Sequence, residues 1–180
     1  SIEALGGSLS LSAVSKVLKG LQDELIIEKG PKGITLLQPD KLLQKLEAGY
    51  RPPKISSALK LRLPGEGIEA VTALNTAMAS PARWVLSGES SGLRYAVMAD
   101  TSVFKVYVTD CMALLQYQNE QFYNVVAQQT EDSFPYFDAQ AERDRAWASP
   151  IQCYLELSKL DKREREIAAT VREAILKKLK

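Results

Sequence analysis

Histidine is missing altogether from this chain of 180 residues, and cysteine occurs only as Cys111 and Cys153. Without imidazole, no Ser-His-Asp or Cys-His nucleophile pair can be assembled. No histidine-ligated zinc, iron or haem site can form either. Two cysteines in one chain also exclude a four-thiolate metal site. An enzyme made from this chain would have to work with carboxylates, lysine, tyrosine or a substrate-bound Mg²⁺. No resident cofactor or metal is expected. Long apolar runs are lacking too: none approaches the roughly 18 residues that a membrane-spanning helix needs. With no secretory segment, two cysteines read as reduced thiols, and the expected location is the cytoplasm. A charge surplus is the last absence. The 23 basic and 22 acidic residues leave a net charge of +1. Bulk charge therefore gives no argument for nucleic-acid binding, and any such contact has to come from a local patch.

What is present is ordinary for a globular protein, with 46% apolar and 25% charged residues, and the length suits one large or two small domains. The chain opens at Ser1 without an initiator methionine, so an upstream segment is expected to be missing. Residues 1–50 read as one unit. Ile2, Ala4 and Leu5 look like the tail of a short helix ended by Gly6-Gly7. Ser8 or Ser10 can cap the next helix. In that helix Val14, Val17, Leu18, Leu21 and Leu25 form an apolar stripe, and Ser12, Ser15, Lys16 and Lys19 lie off it. The β-prone runs Leu25-Ile26-Ile27 and Ile34-Thr35-Leu36-Leu37 flank the turn from Glu28 to Gly33, which predicts a hairpin. Pro39 and Asp40 open another helix, containing Leu42, Leu43 and Leu46 and ending at Gly49.

This order is that of a winged helix-turn-helix lacking its first helix. In that motif the helix after the turn enters the major groove and the hairpin, or wing, lies near phosphates. Ser10, Ser12, Ser15, Lys16 and Lys19 would then face the groove, with Lys29 and Lys32 at the wing tip. Serine can hydrogen-bond to bases or phosphates, and lysine neutralises phosphate. The competing reading is a helix and hairpin that pack only on protein. It draws support from the charge balance of residues 1–50, where basic and acidic residues cancel.

Residues 51–62 read as a basic linker. Pro52-Pro53 break helix, and Arg51, Lys54, Lys60 and Arg62 stand there without an acid. Arg51 and Lys54 are the candidates for contact with the DNA backbone beside the wing. A solvated connection, or a strand leading into the next domain, is the simpler account. Residues 63–180 read as a mixed α/β domain, a small sheet flanked by helices. Ile68, Val71, Leu74 and Met78 mark a helix up to Pro81. Trp84-Val85-Leu86 is a short strand. Val103 to Val108 is the clearest strand, apolar on both faces and so expected to be buried on both. Phe122 to Ala127 predicts a further strand, and Glu131 to Arg145 a loop or short turns. Ser149-Pro150 predicts a capped helix through Leu157. Asp161 is expected to cap the last helix, where Ile167, Val171, Ile175 and Leu179 recur every four residues. Trp84, Trp147 and both cysteines are expected in the core, the cysteines as small apolar groups with no histidine or cation to activate them.

One turn invites chemistry. Ser87 to Gly92, between a strand and a helix, has the small residues of a phosphate-binding loop. It is neither a Walker A nor a Rossmann fingerprint. It echoes the Gly-Ser turn of nucleotidyltransferases, but the next strand ends with Asp110 alone where a metal site wants a carboxylate pair. An enzyme of that kind would use Ser87, Ser90 and Asp110 with Mg²⁺, and Glu156 as a distant third ligand. A tight strand-helix connection is the simpler reading.

Two runs resemble a known family. Leu11-Ser12-Ala13-Val14-Ser15-Lys16-Val17-Leu18-Lys19-Gly20-Leu21 resembles the recognition helix of bacterial winged-helix regulators. Trp147 to Leu157, including Ser149-Pro150-Ile151-Gln152-Cys153-Tyr154-Leu155-Glu156-Leu157, resembles the S-P-x-Q-x-Y-x-D/E-L segment of AbiEi-type antitoxins of type IV toxin–antitoxin systems. The turn Leu86 to Ser90, the strand end Tyr107 to Asp110 and the order of elements fit the same pattern. The resemblance implies a non-enzymatic transcriptional regulator. Its winged helix would bind double-stranded operator DNA and repress its operon. Its second domain would counter a nucleotidyltransferase-type toxin, without direct contact being required. It also implies a pair of protomers on an inverted repeat. The alternatives are a protein-interaction module that binds no DNA and, behind it, a degenerate nucleotidyltransferase.

Overall fold

The computed structural model describes residues 10–31, 33–78, 83–96 and 102–179 and is a mixed α/β protein. The expected helix tail at Ile2 to Leu5, Gly6-Gly7, Ser8, Lys32 and Pro81 lie outside the described residues. Helix α1 spans Leu11–Asp23, and the Ser10 hydroxyl caps it by accepting from the Ala13 amide. Strands β1 (Ile27–Gly30) and β2 (Gly33–Leu36) pair antiparallel, with Gly30 opposite Gly33, so the hairpin turn is two residues long. Helix α2 spans Pro39–Gly49, with proline in its first turn, where its missing N–H costs nothing.

The end of α1 departs from the expected stripe. Leu25 does not continue the buried face: it is 66% exposed, with φ +56°. Its amide donates to the Gln22 carbonyl and the Ile26 amide donates to the Leu21 carbonyl. These are the two bonds of a Schellman stop, with Leu25 in the left-handed position that glycine normally fills. The reversal turns Leu25 outward and buries Ile26 in its place. Leu25→Gly should therefore relieve the left-handed cost while losing little buried area. We expect it to raise stability by about 1 kcal/mol, read from the urea midpoint; a loss would mean that Leu25 is covered in solution. Val17 is also off the buried face, at 60% exposed, and no residue of α1 is buried.

Strand β3 (Ser57–Leu61) lies within the stretch read as a basic linker. It runs antiparallel to β6 (Val125–Gln129), Leu61 against Val125, so the sheet begins before residue 63. A 3-10 turn at Gly67–Ala73 continues into the short helix α3 (Leu74–Ala77). Strand β4 (Trp84–Leu86) leads into the four-residue helix α4 (Gly88–Ser91), and β5 spans Phe104–Val108. The sheet order is β3-β6-β5-β4, with β5 and β6 parallel and the outer pairs antiparallel.

Alternation along β5 sends Phe104, Val106 and Val108 into one core with Leu61, Val71, Leu74, Leu114 and Trp147. Tyr107, buried on the other face, points toward the C-terminal helices, so β5 is covered on both sides. Strand β6 starts later than expected. The Asn119 side chain accepts from the amides of Gln121 and Phe122, which holds a turn and leaves Phe122 72% exposed. The buried Asn124 then binds both the amide and the carbonyl of Leu63.

The segment expected to be a loop or short turns holds a 3-10 turn at Phe134–Tyr136 and a second hairpin, β7 (Gln140–Glu142) with β8 (Arg145–Trp147). Its turn places Arg143 at φ +54°. Helix α5 (Pro150–Leu157) is capped by the Ser149 hydroxyl, which accepts from the Gln152 amide. Helix α6 spans Lys162–Lys178; Asp161 stands at its cap position but makes no side-chain cap bond. Leu179 is exposed, while Ile167, Val171 and Ile175 join a second core with Leu43 of α2 and Cys153, Tyr154, Leu155 and Leu157 of α5.

Candidate functional site

Ser12, Ser15, Lys16 and Lys19 fall three and four residues apart on α1, so they share one face of the helix. All four are exposed. Ser10 sits at the start of that face, and its hydroxyl lies 3.0 Å from that of Ser12. Neither Lys16 nor Lys19 takes part in an ion pair among the described residues. Lys29 is exposed on β1 opposite Ile34, and Lys32 is outside the described residues. Arg51 and Lys54 are reached only after α2. Arg51 lines a cleft between α2 and α5, and the Lys54 amide donates to the Asp132 carboxylate at 2.8 Å. The α1 face and Lys29 thus form one contiguous unit in the chain, and no hydrogen bond or ion pair among the described residues joins Arg51 or Lys54 to it.

The metal site considered for Ser87, Ser90, Asp110 and Glu156 is not assembled. The Ser87 amide donates to the Lys105 carbonyl at 2.9 Å, which puts Ser87 beside the start of β5. Asp110 lies past the far end of that strand, five residues on, or about 17 Å along an extended chain. There it accepts from the Met112 amide at 2.8 Å and stabilises a local turn. The serines of the turn are spent on internal contacts. Ser87 caps α4, Ser90 accepts from the Lys105 amide, and Ser91 accepts from the Ala148 amide. Among the described residues no group of three or more Cys, Asp or Glu side chains is gathered to hold a metal ion.

Glu156 takes the place an anionic ligand would have. Its carboxylate accepts from the Glu89 amide at 3.2 Å and from the Gln152 side chain at 2.7 Å, with the Gly88 amide and the Tyr107 hydroxyl close by. Burial outweighs these polar neighbours and holds its carboxyl above the ordinary value. The same burial, with the Glu156 charge nearby, pushes the Tyr107 and Tyr50 hydroxyls and the Cys153 thiol upward. Burial does the same to Cys111, with Asp110 adding to it. Both cysteines are free and buried, so neither is a poised nucleophile. Beside Glu156, Lys105 pairs with Glu89 at 2.6 Å.

Each polar residue of the 149–157 segment thus acquires a physical role. Ser149 caps α5. Gln152 donates to Tyr50 and Glu156. Tyr154 hydrogen-bonds the Glu47 carboxylate of α2, and its hydroxyl is pushed up to about 12, by burial first and that bond second. Sequence reasoning had named Glu156 only as a distant metal ligand and gave Gln152 no role. The available signal was their spacing: two polar residues four apart on a helix otherwise apolar on every side. No family model, curated protein or solved structure matches the chain.

Proposed function

We propose that α1 and the β1-β2 hairpin are the recognition helix and wing of a winged helix-turn-helix, and that the chain is a DNA-binding regulator of AbiEi-like antitoxin type. In this reading it represses its own operon and counters a nucleotidyltransferase-type toxin. The single supporting observation is the α1 face. Ser12, Ser15, Lys16 and Lys19 are all exposed on it, no residue of α1 is buried, and the hairpin carrying Lys29 follows within four residues. A helix held so shallowly on its own protein can lie deep in a groove.

Fluorescence anisotropy with a duplex from the chain's own operon tests it. With about four phosphate contacts, affinity should fall about a hundredfold between roughly 50 and 200 mM salt. Lys16→Glu/Lys19→Glu should abolish specific binding and flatten the salt slope by about 2. Binding that ignores both salt and this double change rejects the reading.

One observation favours the protein-interaction alternative. Leu11, Val17, Leu25, Ile34 and Leu37 are each exposed in the same unit, and a partner protein that covered them would bury apolar area. On that reading Val17→Glu, and not the lysine changes, would abolish function in a co-precipitation with a protein partner.

A further inference from the structure

A cleft of about 520 Å³ opens where α2 meets α5, and of the candidate DNA contacts only Arg51 reaches it. One wall is Leu46, Gly49 and Tyr50 from the end of α2; another is Ile151 and Leu155 from α5; the third is Phe134 and Phe137 from the loop after β6. Its volume falls within the range of small-molecule sites, which are mostly apolar with a few placed polar groups. Tyr50 and Phe134 meet edge to face in its wall, with ring centroids 6.4 Å apart. The polar groups are also few. Ser149 and Gln152, both buried, line it. Lys45, Arg51 and Asp138 complete the lining. Lys45 is already paired with Glu24. Arg51 enters no ion pair among the described residues. The exposed apolar side chains Leu46, Phe134 and Ile151 all open onto the cleft.

We infer that this cleft binds a small organic anion with an aromatic body and a carboxylate. The ring would lie against Tyr50, Phe134, Phe137 and Ile151. The carboxylate would meet the Arg51 guanidinium, whose planar fork suits it better than an ammonium does. Asp138 is the opposing charge in the lining. It disfavours a second anionic group on the ligand, so the fit is to a monoanion. Aromatic walls supply edge-to-face partners for a flat ring, and Arg51, in the segment between α2 and β3, supplies the cation. This inference does not depend on DNA binding.

Calorimetric titration of the intact chain with naphthalene-2-carboxylate, and separately with the uncharged naphthalene-2-carboxamide, tests it. We expect one site per chain and a carboxylate affinity about fivefold above that of the amide. Arg51→Gln should erase that ratio and leave amide binding in place. Ile151→Glu, at an exposed position on α5, should weaken the carboxylate about tenfold or more without lowering the melting temperature. Val17→Glu, at an exposed position on α1, should change neither titration. The inference is overturned if neither probe binds, if both bind equally, if Arg51→Gln leaves the ratio intact, or if Val17→Glu abolishes binding.

Discussion

Gly88→Ala should destabilise the protein by about 3 kcal/mol, and Gly88→Val should prevent folding at ambient temperature. A Cβ at this position would lie 2.6 Å from the Gln152 carbonyl oxygen, 2.9 Å from the Cys153 Cα and 2.9 Å from the Glu156 side chain. Two of those three neighbours are backbone of α5 and cannot swing aside. Gly88 opens α4, so the clash would lever α4 away from α5 and break the contact through which the sheet meets the second core. Urea unfolding of Gly88→Ala gives the number. Gly20→Ala is the control, because nothing lies within 4 Å of a Cβ there. Gly20 is inside α1, so that change should stabilise by up to about 1 kcal/mol. Equal effects at the two glycines would refute the close approach.

Glu156→Ala should cost about 3 kcal/mol, because it strands the Glu89 amide and the Gln152 side chain in a partly buried site. A gentler change, Glu156→Gln, exposes the protonation chemistry. Burial raises the carboxyl in the folded state above its reference value of 4.5. The folded chain therefore holds that proton more tightly than the unfolded one. The stability this contributes is complete below the unfolded value and is lost as pH rises through the folded value. Wild type should lose ground to Glu156→Gln as pH climbs above 4.5, read as the difference between their urea midpoints. A difference that does not move with pH would show that the polar neighbours of Glu156 cancel the burial.

Local chemistry made part of this legible. Ser149-Pro150 declares a helix start by itself: a hydroxyl to accept the Gln152 amide and a residue that needs no partner for its own nitrogen. Strand β5 declares itself by alternation. The failures share a different character. Leu25 satisfies the 3.6-residue period, yet the chain reverses there through a left-handed residue that carries no glycine signal. Phe122 looks like strand, but Asn119, three residues earlier, claims its amide. The β7-β8 hairpin turns on Arg143 and Asp144, without the Asn-Gly or Asp-Gly that marks such turns. For the site, the exposed positions on α1 followed from helical spacing alone. The role of Glu156 did not, because its partners Gly88 and Glu89 stand 67 or more positions away, and only the folded arrangement of α4 against α5 unites them.

The position of α2 sets an order on how this chain can be built. Leu43 is buried with α5 and α6, Glu47 meets Tyr154, and Asp40 meets Arg172, which is 132 positions downstream. A ribosome releasing the chain from its N-terminus delivers α1 and the hairpin early, but α2 has nothing to bury Leu43 against until the last helix emerges. Its apolar side stays open throughout most of translation, and closing it requires a long-range contact of the kind that forms slowly. Ribosome-stalled chains ending near residue 160 should thus leave α2 open to protease, and those that extend past α6 should protect it.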